Sequence, residues 1–253
     1  MNPVRSAAGK LLLRRAVFLA VLFPLLLAHP ARAAEDVRIL TSFYPMHIAA
    51  LNVAKDVPGV RLDNLSGPMT GCLHDYQMTP ADLARLSRAD ILVVNGAGAE
   101  GFLDKVVREL PRLKVIRASE GIPLLGAGVG KDPNAHVWLS VSLHIRQVEN
   151  IAEGPSRFDP ARAPEYRKNA AAYVAKLEKL RADLREGLKD LRTRDIVTFH
   201  EAFPYFAQEF GFNILAVIER EPGSEPNARE LAETVATVRK SGGKVLFVEP
   251  QYP

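Results

Sequence analysis

The stretch TPADLARLSRADILVVNGAGAEG, residues 79–101, contains a helix signal, a strand signal and a glycine-rich turn in close succession. Its first four residues, TPAD, supply a threonine N-cap, a proline at the first helical position and an acid in the first turn. Leu83 and Leu86 would form the apolar stripe of that helix. The run Ile91–Val94 is short and wholly apolar, which is typical of a strand buried on both faces. The stretch therefore predicts one helix–strand unit of an α/β fold.

The same alternation extends in both directions from this stretch. Strands are predicted at Val37–Thr41, Val60–Leu65 and Val115–Ala118, and helices at Pro45–Lys55 and Phe102–Leu110. Strands that alternate with helices usually pair in parallel and carry helices on both faces of the sheet. We therefore predict a parallel α/β lobe for the first half of the chain.

Residues 160–192 interrupt the alternation. The segment is rich in Ala, Lys, Glu, Leu and Arg, which are strong helix formers. Apolar residues recur in it at three- and four-residue steps, including Leu177, Leu180, Leu184 and Leu191, so a single helix with one apolar stripe is predicted. At 1.5 Å per residue such a helix would be roughly 45 Å long. We interpret it as a spine that joins two lobes.

Strand–helix alternation resumes after this helix. Strands are predicted at Ile196–Phe199, Asn213–Ile218 and Lys244–Val248, and Gly211 is predicted to end the helix that precedes the second of them. The predicted organisation is an N-terminal α/β lobe, a long linking helix and a C-terminal α/β lobe, at residues 34–156, 157–193 and 194–253. Two or three strands make a thin second lobe, which we interpret as truncated.

Residues 1–33 have the layout of a secretory signal peptide, with a basic start, an apolar run and small residues at the expected cleavage spacing. The apolar run, Ala16–Ala28, is shorter than the ~20 residues that span a bilayer. We therefore predict export, with cleavage near Ala33. Removing the five basic residues of this segment changes the formal net charge from +4 to −1. Nothing in that balance indicates a nucleic-acid partner.

Three histidines are each predicted to lie where a strand or extended segment meets a helix. They are His74 in GCLHDYQMTP, His136 in DPNAHVWLS and His200 in IVTFHEAFPYF. Residues 137–139 are read as a short strand or extended piece, and Ser140 as the cap of the next helix. Neutral imidazole suits zinc, and open α/β sheets bind ligands at the carboxyl ends of their strands. Ligands from three distant segments favour metal handling over a structural zinc knuckle, whose ligands come in close pairs.

Other candidate ligands carry less weight. Cys72 is the only cysteine, which excludes an internal disulfide; its thiolate could bind zinc, although we favour a small turn or core residue. His144 lies inside a predicted helix and is interpreted as structural or surface. His47 lies in the first turns of the first helix, where it could approach a cleft, and His29 leaves with the signal peptide.

Four motifs are shared with a known family. They are His74-Asp75-Tyr76 followed by Thr79-Pro80, residues 135–140 (AHVWLS), residues 199–206 (FHEAFPYF) and Glu249-Pro250-Gln251. Together they resemble the zinc and manganese solute-binding proteins of bacterial ABC transporters, the ZnuA/TroA-like group. The resemblance runs from about Arg38 to the last residue.

This resemblance implies an α/β fold with two Rossmann-like lobes, each with a parallel sheet, joined by a long connecting helix, with a metal site in the interlobe cleft. It implies that His74, His136 and His200 hold the metal. A nitrogen-rich set favours Zn²⁺ over Mn²⁺, which prefers oxygen ligands. The implied protein is a periplasmic, monomeric, non-enzymatic receptor that delivers zinc as a transported ligand to the membrane permease of an ABC importer.

The sequence departs from the family pattern in two places. The family's last ligand is usually an aspartate beyond the Glu-Pro-Gln segment, and this chain ends before that point, so the fourth zinc position is unassigned. Many zinc-type members carry a histidine-rich loop in the first lobe, and residues 121–135 contain no histidine. A manganese-specific protein of the same family therefore stays as an alternative.

Two further alternatives come from other functional classes. Gly96–Gly101 (GAGAEG) fits the G-x-G-x-x-G fingerprint of dinucleotide sites, with Glu120 about twenty residues further on. That fingerprint normally follows the first strand of its unit, so we favour a tight strand-to-helix turn. Three histidines and water can also form a catalytic zinc site, which would make the protein a hydrolase. The H-E-x-x-H motif is absent, because Pro204 stands where its second histidine would be.

Overall fold

The structure is a computed structural model that describes residues 36–67, 73, 76–126, 132–219, 227–241 and 245–248. The chain from Asp36 onwards forms one compact unit. The predicted signal peptide lies outside the described residues. Within those residues, no helix combines the length and the apolar character needed to cross a bilayer.

The first sheet is parallel, with the strand order β2-β1-β3-β4. Its strands and helices are β1 (Val37–Thr41), α1 (Tyr44–Val53), β2 (Val60–Asn64), α2 (Pro80–Arg88), β3 (Ile91–Val94), α3 (Asp104–Arg108) and β4 (Lys114–Arg117). A 3₁₀ turn at Gly101–Leu103 precedes α3. Strand β2 pairs with one edge of β1, and β3 pairs with the other edge. Their shared carboxyl edge is the switch point at which such sheets bind ligands.

Helix α2 begins as predicted. The Thr79 hydroxyl accepts a hydrogen bond from the Asp82 backbone N–H at 3.3 Å, and the Asp82 carboxylate accepts one from the Thr79 backbone N–H at 2.8 Å, which completes a capping box. Leu86 is fully buried, whereas Leu83 is 44% exposed, so the predicted stripe was wrong at Leu83. Asp82 takes the buried position one turn before Leu86, because its carboxylate is used in the cap.

Two long helices follow the first sheet. They are α4 (Val141–Phe158) and α5 (Ala163–Gly187), which pack against each other, with a 3₁₀ turn at Pro160–Arg162 between them. The single helix predicted over residues 160–192 is thus shorter, at 25 residues or about 38 Å. Leu177 is buried, but Leu180 and Leu191 are exposed, so only part of the predicted apolar stripe packs.

The second sheet is also parallel, with the strand order β6-β5-β7. Its elements are β5 (Asp195–His200), α6 (Pro204–Phe210), β6 (Asn213–Glu219), α7 (Ala228–Ser241) and β7 (Leu246–Phe247). Gly211 ends α6 at φ 72°, the left-handed conformation that glycine favours and that the sequence predicted. Two parallel sheets and a long helix confirm the predicted fold class, whereas the exact lobe boundaries stay predictions.

Candidate metal centre

His200 is the last residue of β5, the central strand of the second sheet. Its neighbour β6 lies on one side and β7 on the other, so the carboxyl end of β5 is the switch point of this sheet. The side chain is buried, with the residue 4% exposed. The prediction that this histidine follows a strand and precedes a helix is confirmed.

His136 reaches the carboxyl edge of the first sheet in another way. No strand lies in residues 132–135 directly before it, and residues 137–139 form a 3₁₀ turn, so the predicted strand or extended piece was wrong. The turn is closed by the backbone N–H of Leu139 donating to the His136 carbonyl at 3.2 Å. Asn95, directly after β3, donates from Nδ2 to the Ala135 carbonyl at 2.9 Å. A side-chain tether therefore places His136 at the end of the sheet.

The imidazole rings of His136 and His200 lie together. Their centroids are 4.7 Å apart and their planes are inclined at 82°. Two imidazoles sharing one tetrahedral zinc through bonds of about 2.0–2.1 Å have centroids about 5 Å apart. His136 is also buried, at 7% exposed. The separation of the two rings is therefore close to that of two imidazoles on one zinc ion.

His74, the third predicted donor, lies outside the described residues, as does Cys72. Among the residues that the structure does describe, no group of three or more histidine, cysteine, aspartate or glutamate side chains is placed to hold a metal ion. The described part of the site is a two-histidine pair.

Aromatic and amide side chains surround the His136 ring. Trp138 lies with its ring centroid 5.2 Å away, and Phe43 packs edge-on against Trp138 at 4.9 Å. Asn134 accepts a hydrogen bond from the His136 backbone N–H at 3.0 Å, and its Oδ1 lies 3.1 Å from His136 Nδ1. The Tyr205 hydroxyl donates to the Asn134 carbonyl at 2.8 Å. Sequence reasoning missed Asn134 and Tyr205, although Asn134 stands two residues before His136 and Tyr205 lies inside the motif at residues 199–206.

A buried polar layer lies beneath this loop. Gln147 donates from Nε2 to Asn95 Oδ1 at 2.7 Å and to the Ser119 hydroxyl at 2.9 Å, and its Oε1 lies 3.1 Å from His144 Nδ1. Burial lowers the pKa of His144, and the hydrogen bond that its Nδ1 makes to Gln147 Oε1 only partly opposes that effect. His144 is therefore a structural residue, one of the two roles predicted for it.

His47 also has a local partner. Its Nδ1 lies 3.2 Å from the Thr41 hydroxyl oxygen, and its ring stacks on Tyr44. Burial lowers the pKa of His47, and the charge of Asp63 partly opposes the shift. These contacts explain its position at the edge of the first sheet without a metal.

Glu209 joins α6 to the start of α4. Its carboxylate accepts hydrogen bonds from the hydroxyls of Ser140 and Ser142, both at 2.6 Å, and from the Ser142 backbone N–H at 3.2 Å. Ser140 caps α4 as predicted, by accepting from the Leu143 backbone N–H. Arg181 in α5 donates to the Ser142 hydroxyl at 3.0 Å. An anion at a helix N-terminus is stabilised by the helix dipole, so Glu209 holds the segments that carry the two histidines in a fixed relation.

The side chain of Glu100 fills the glycine-rich turn after β3, to which Glu100 itself belongs. Glu100 is buried, and one carboxylate accepts hydrogen bonds from the backbone N–H groups of Asn95 at 2.7 Å and Gly96 at 3.0 Å and from the Ser42 hydroxyl at 2.7 Å. In a dinucleotide site, such N–H groups bind a phosphate. The geometry thus supports the tight-turn interpretation over the dinucleotide alternative.

Comparisons with known proteins bear on this site. Residues 39–253 match the sequence profile of the family described as "Zinc-uptake complex component A periplasmic". The chain is 30% identical over 246 residues to the zinc-binding lipoprotein AdcA of Streptococcus pneumoniae, a match that covers 91% of this chain and 48% of AdcA. The chain therefore spans about half the length of that relative.

Two further matches cover most of both partners. The high-affinity zinc uptake system protein ZnuA of Bacillus subtilis is 28% identical over 232 residues, covering 85% of this chain and 71% of ZnuA. The solved structure of the solute-binding protein FpvC of Pseudomonas aeruginosa in complex with Mn²⁺ is 32% identical with a TM-score of 0.76, covering 87% of this chain and 82% of FpvC. The fold, including both lobes, is thus shared with a metal-bound protein.

Proposed function

Because the chain belongs to the family of periplasmic zinc-uptake components, we propose that it is an extracytoplasmic zinc receptor that delivers the metal to an ABC importer. The observation that carries this proposal is the buried pair of His136 and His200 rings, 4.7 Å apart, at the carboxyl edges of two parallel sheets. Zinc accepts neutral imidazole readily and binds in tetrahedral sites. His74 is proposed as the third donor from its place in the sequence motif.

The proposed cycle has three steps. Zinc enters between the two sheets and binds His136 and His200, whose rings are already close. His74 then joins from the segment that precedes α2. The metal-loaded protein docks on the membrane permease of its importer and releases zinc there. Binding is proposed to require little rearrangement of the described pair, because both residues are buried and Asn134 contacts the backbone and the ring of His136.

Zinc titration of single-histidine variants tests the proposal. His136→Ala and His200→Ala are each expected to lower zinc affinity by orders of magnitude while far-UV circular dichroism stays that of the wild type. His144→Ala is the matched control, because it also removes a buried histidine but one that contacts Gln147. Equal zinc affinity in the wild type and the two site variants would refute the proposal.

Manganese is the second candidate metal, because FpvC, which shares this fold, has been solved in complex with Mn²⁺. Offering both ions in competition decides between them. The nitrogen donors of the described pair are expected to select zinc. Selection of manganese would assign the chain to the other branch of the predicted family.

The remaining parts of the proposal concern location and partners. The family is one of uptake components, so we propose a binding protein in place of the zinc hydrolase alternative; zinc-dependent hydrolysis of an activated ester by the purified chain would reverse this. Export is checked by fractionating cells that express the full chain. Stimulation of the ATPase of a reconstituted permease by the zinc-loaded protein, and not by the His136→Ala variant, checks the transport partner. A monomer is expected in solution, which light scattering measures.

A further inference from the structure

Asn134 lies between the two segments that carry the histidine pair and contacts both. Its Oδ1 accepts a hydrogen bond from the His136 backbone N–H at 3.0 Å and lies 3.1 Å from His136 Nδ1. Its Nδ2 donates to the main-chain carbonyl of Glu201, the residue after His200, at 2.7 Å. One amide side chain therefore links the loop of His136 to the end of strand β5.

The chemistry of these partners fixes the orientation of the Asn134 amide. A backbone N–H can only donate and a backbone carbonyl can only accept, so Oδ1 faces His136 and Nδ2 faces Glu201. Because Oδ1 has no hydrogen to give, the Nδ1 atom of His136 must carry the proton in this contact. In a neutral imidazole the lone pair is then on Nε2, the nitrogen left to bind a metal.

Asn134 is itself held in place by the second lobe. The Tyr205 hydroxyl donates to the Asn134 main-chain carbonyl at 2.8 Å and accepts from the Leu125 backbone N–H at 2.9 Å. Tyr205 is almost fully buried. The next carbonyl along the chain, that of Ala135, accepts from Asn95. With main chain and side chain both tied, the Asn134 amide is a rigid partner for the His136 ring.

We infer that Asn134 is a positioning residue for zinc, which sets the ring orientation and the protonated nitrogen of His136 so that Nε2 is presented to the metal. This inference rests on the proposed function. Outer partners of metal-binding histidines typically change metal affinity by about 10–100-fold when they are removed. Asn134→Ala is therefore expected to weaken zinc binding by about 10–100-fold. Asn134→Asp keeps an oxygen acceptor for His136 but lacks the donor to Glu201, so its affinity is expected to lie between those of the alanine variant and the wild type.

Asn150→Ala is the matched control for these variants. Asn150 also donates from Nδ2 to main-chain carbonyls, those of Ala118 at 2.7 Å and Glu120 at 3.0 Å, and these partners lie away from the segments that carry His136 and His200. Its removal costs comparable backbone hydrogen bonds and is expected to leave zinc affinity unchanged. Affinities are measured by competition with a chelator, alongside urea denaturation of each zinc-free variant.

Nuclear magnetic resonance of the imidazole nitrogens in the zinc-free wild type reads the His136 tautomer directly. A protonated Nδ1 is expected, with mixed tautomers in Asn134→Ala. A wild-type His136 ring that is protonated on Nε2 overturns the inference. A zinc affinity of Asn134→Ala that equals that of the wild type overturns it as well, and so does a loss of affinity no larger than that of Asn150→Ala. An aspartate variant that binds no more tightly than the alanine variant also overturns it. Absence of zinc binding by the wild type overturns the proposed function together with this inference, whereas binding indifferent to Asn134 overturns this inference alone.

Discussion

Replacing Gly154 by alanine is expected to destabilise the protein, although the same change inside a helix usually stabilises it. Gly154 lies within α4, where the helix packs on β4. A Cβ atom at this position would lie 2.4 Å from Cδ1, 2.5 Å from Cγ1 and 2.9 Å from Cγ2 of Ile116. Carbon atoms in good contact are about 3.5–4.0 Å apart. Rotating the terminal methyl of Ile116 cannot relieve a clash that also involves both of its γ carbons.

The net effect follows from two opposing terms. Forcing an extra methyl into a packed core costs about 1–3 kcal/mol, whereas alanine is favoured over glycine in a helix by about 0.5–1 kcal/mol. Gly154→Ala should therefore lower the free energy of unfolding by up to about 2.5 kcal/mol, with about 1 kcal/mol as the middle of the range. Gly187→Ala is the control, because Gly187 also lies in a helix and an added Cβ there would meet no atom within 4 Å. That variant should be as stable as the wild type or slightly more stable.

Urea denaturation of the zinc-free protein, followed by circular dichroism, measures both variants. A double variant, Gly154→Ala with Ile116→Ala, should lose less stability than the sum of the two single changes, because the smaller side chain at 116 makes room for the added methyl. If Gly154→Ala proved as stable as Gly187→Ala, the close packing of α4 on β4 would be refuted.

Three further predictions concern charges and burial. Burial raises the pKa of Asp82, but hydrogen bonds from Thr79, Tyr76 and Arg85 outweigh that effect and hold the pKa below its usual value. The ionised carboxylate therefore stabilises the fold above the ordinary pKa near 4, and this stabilisation is lost as pH falls through the pKa of the folded state. The free energy of unfolding of Asp82→Asn should thus vary less than that of the wild type between about pH 5 and 2, as acid titration of urea midpoints would show. Glu209→Gln weakens charge-assisted hydrogen bonds to Ser140 and Ser142 and should lower the free energy of unfolding by about 1–2 kcal/mol; no change in the urea midpoint would contradict this. Burial lowers the pKa of His144, so protonation of this residue favours the unfolded chain. The free energy of unfolding of the zinc-free protein should therefore decrease as pH falls below about 6.5, and it should decrease less in His144→Gln. Thermal unfolding across that pH range measures both.

Local signals in the sequence were sufficient to predict several helices and strands. Helix α2 forms where its capping residues stand, because the cap depends on side chains three residues apart. Strand β3 is a run of four apolar residues and is buried throughout. The end of α6 at Gly211 needed only a glycine in the left-handed conformation. Each of these features depends on neighbours in sequence, which is why it could be predicted.

The environment of His136 depends on residues far away in sequence. The 3₁₀ turn at residues 137–139 takes the place of a predicted extended piece, and Asn95, about forty positions earlier, holds the loop that precedes it. Asn134 is tied to Glu201 across 67 positions. No periodicity or spacing rule could give such contacts from one sequence. The long helix was overestimated for a local reason, because Pro160 follows Asp159 and starts a separate turn before α5.

The contact made by Glu100 has a consequence for how this lobe could change during evolution. Its carboxylate lies where a bound anion would lie in a related turn, so a side chain of the protein itself occupies the anion position of this loop. Shortening that side chain would open a vacancy lined by amide hydrogens, into which a small carboxylate such as formate could diffuse. A single substitution could thus convert a structural carboxylate contact into a simple binding site for small anions.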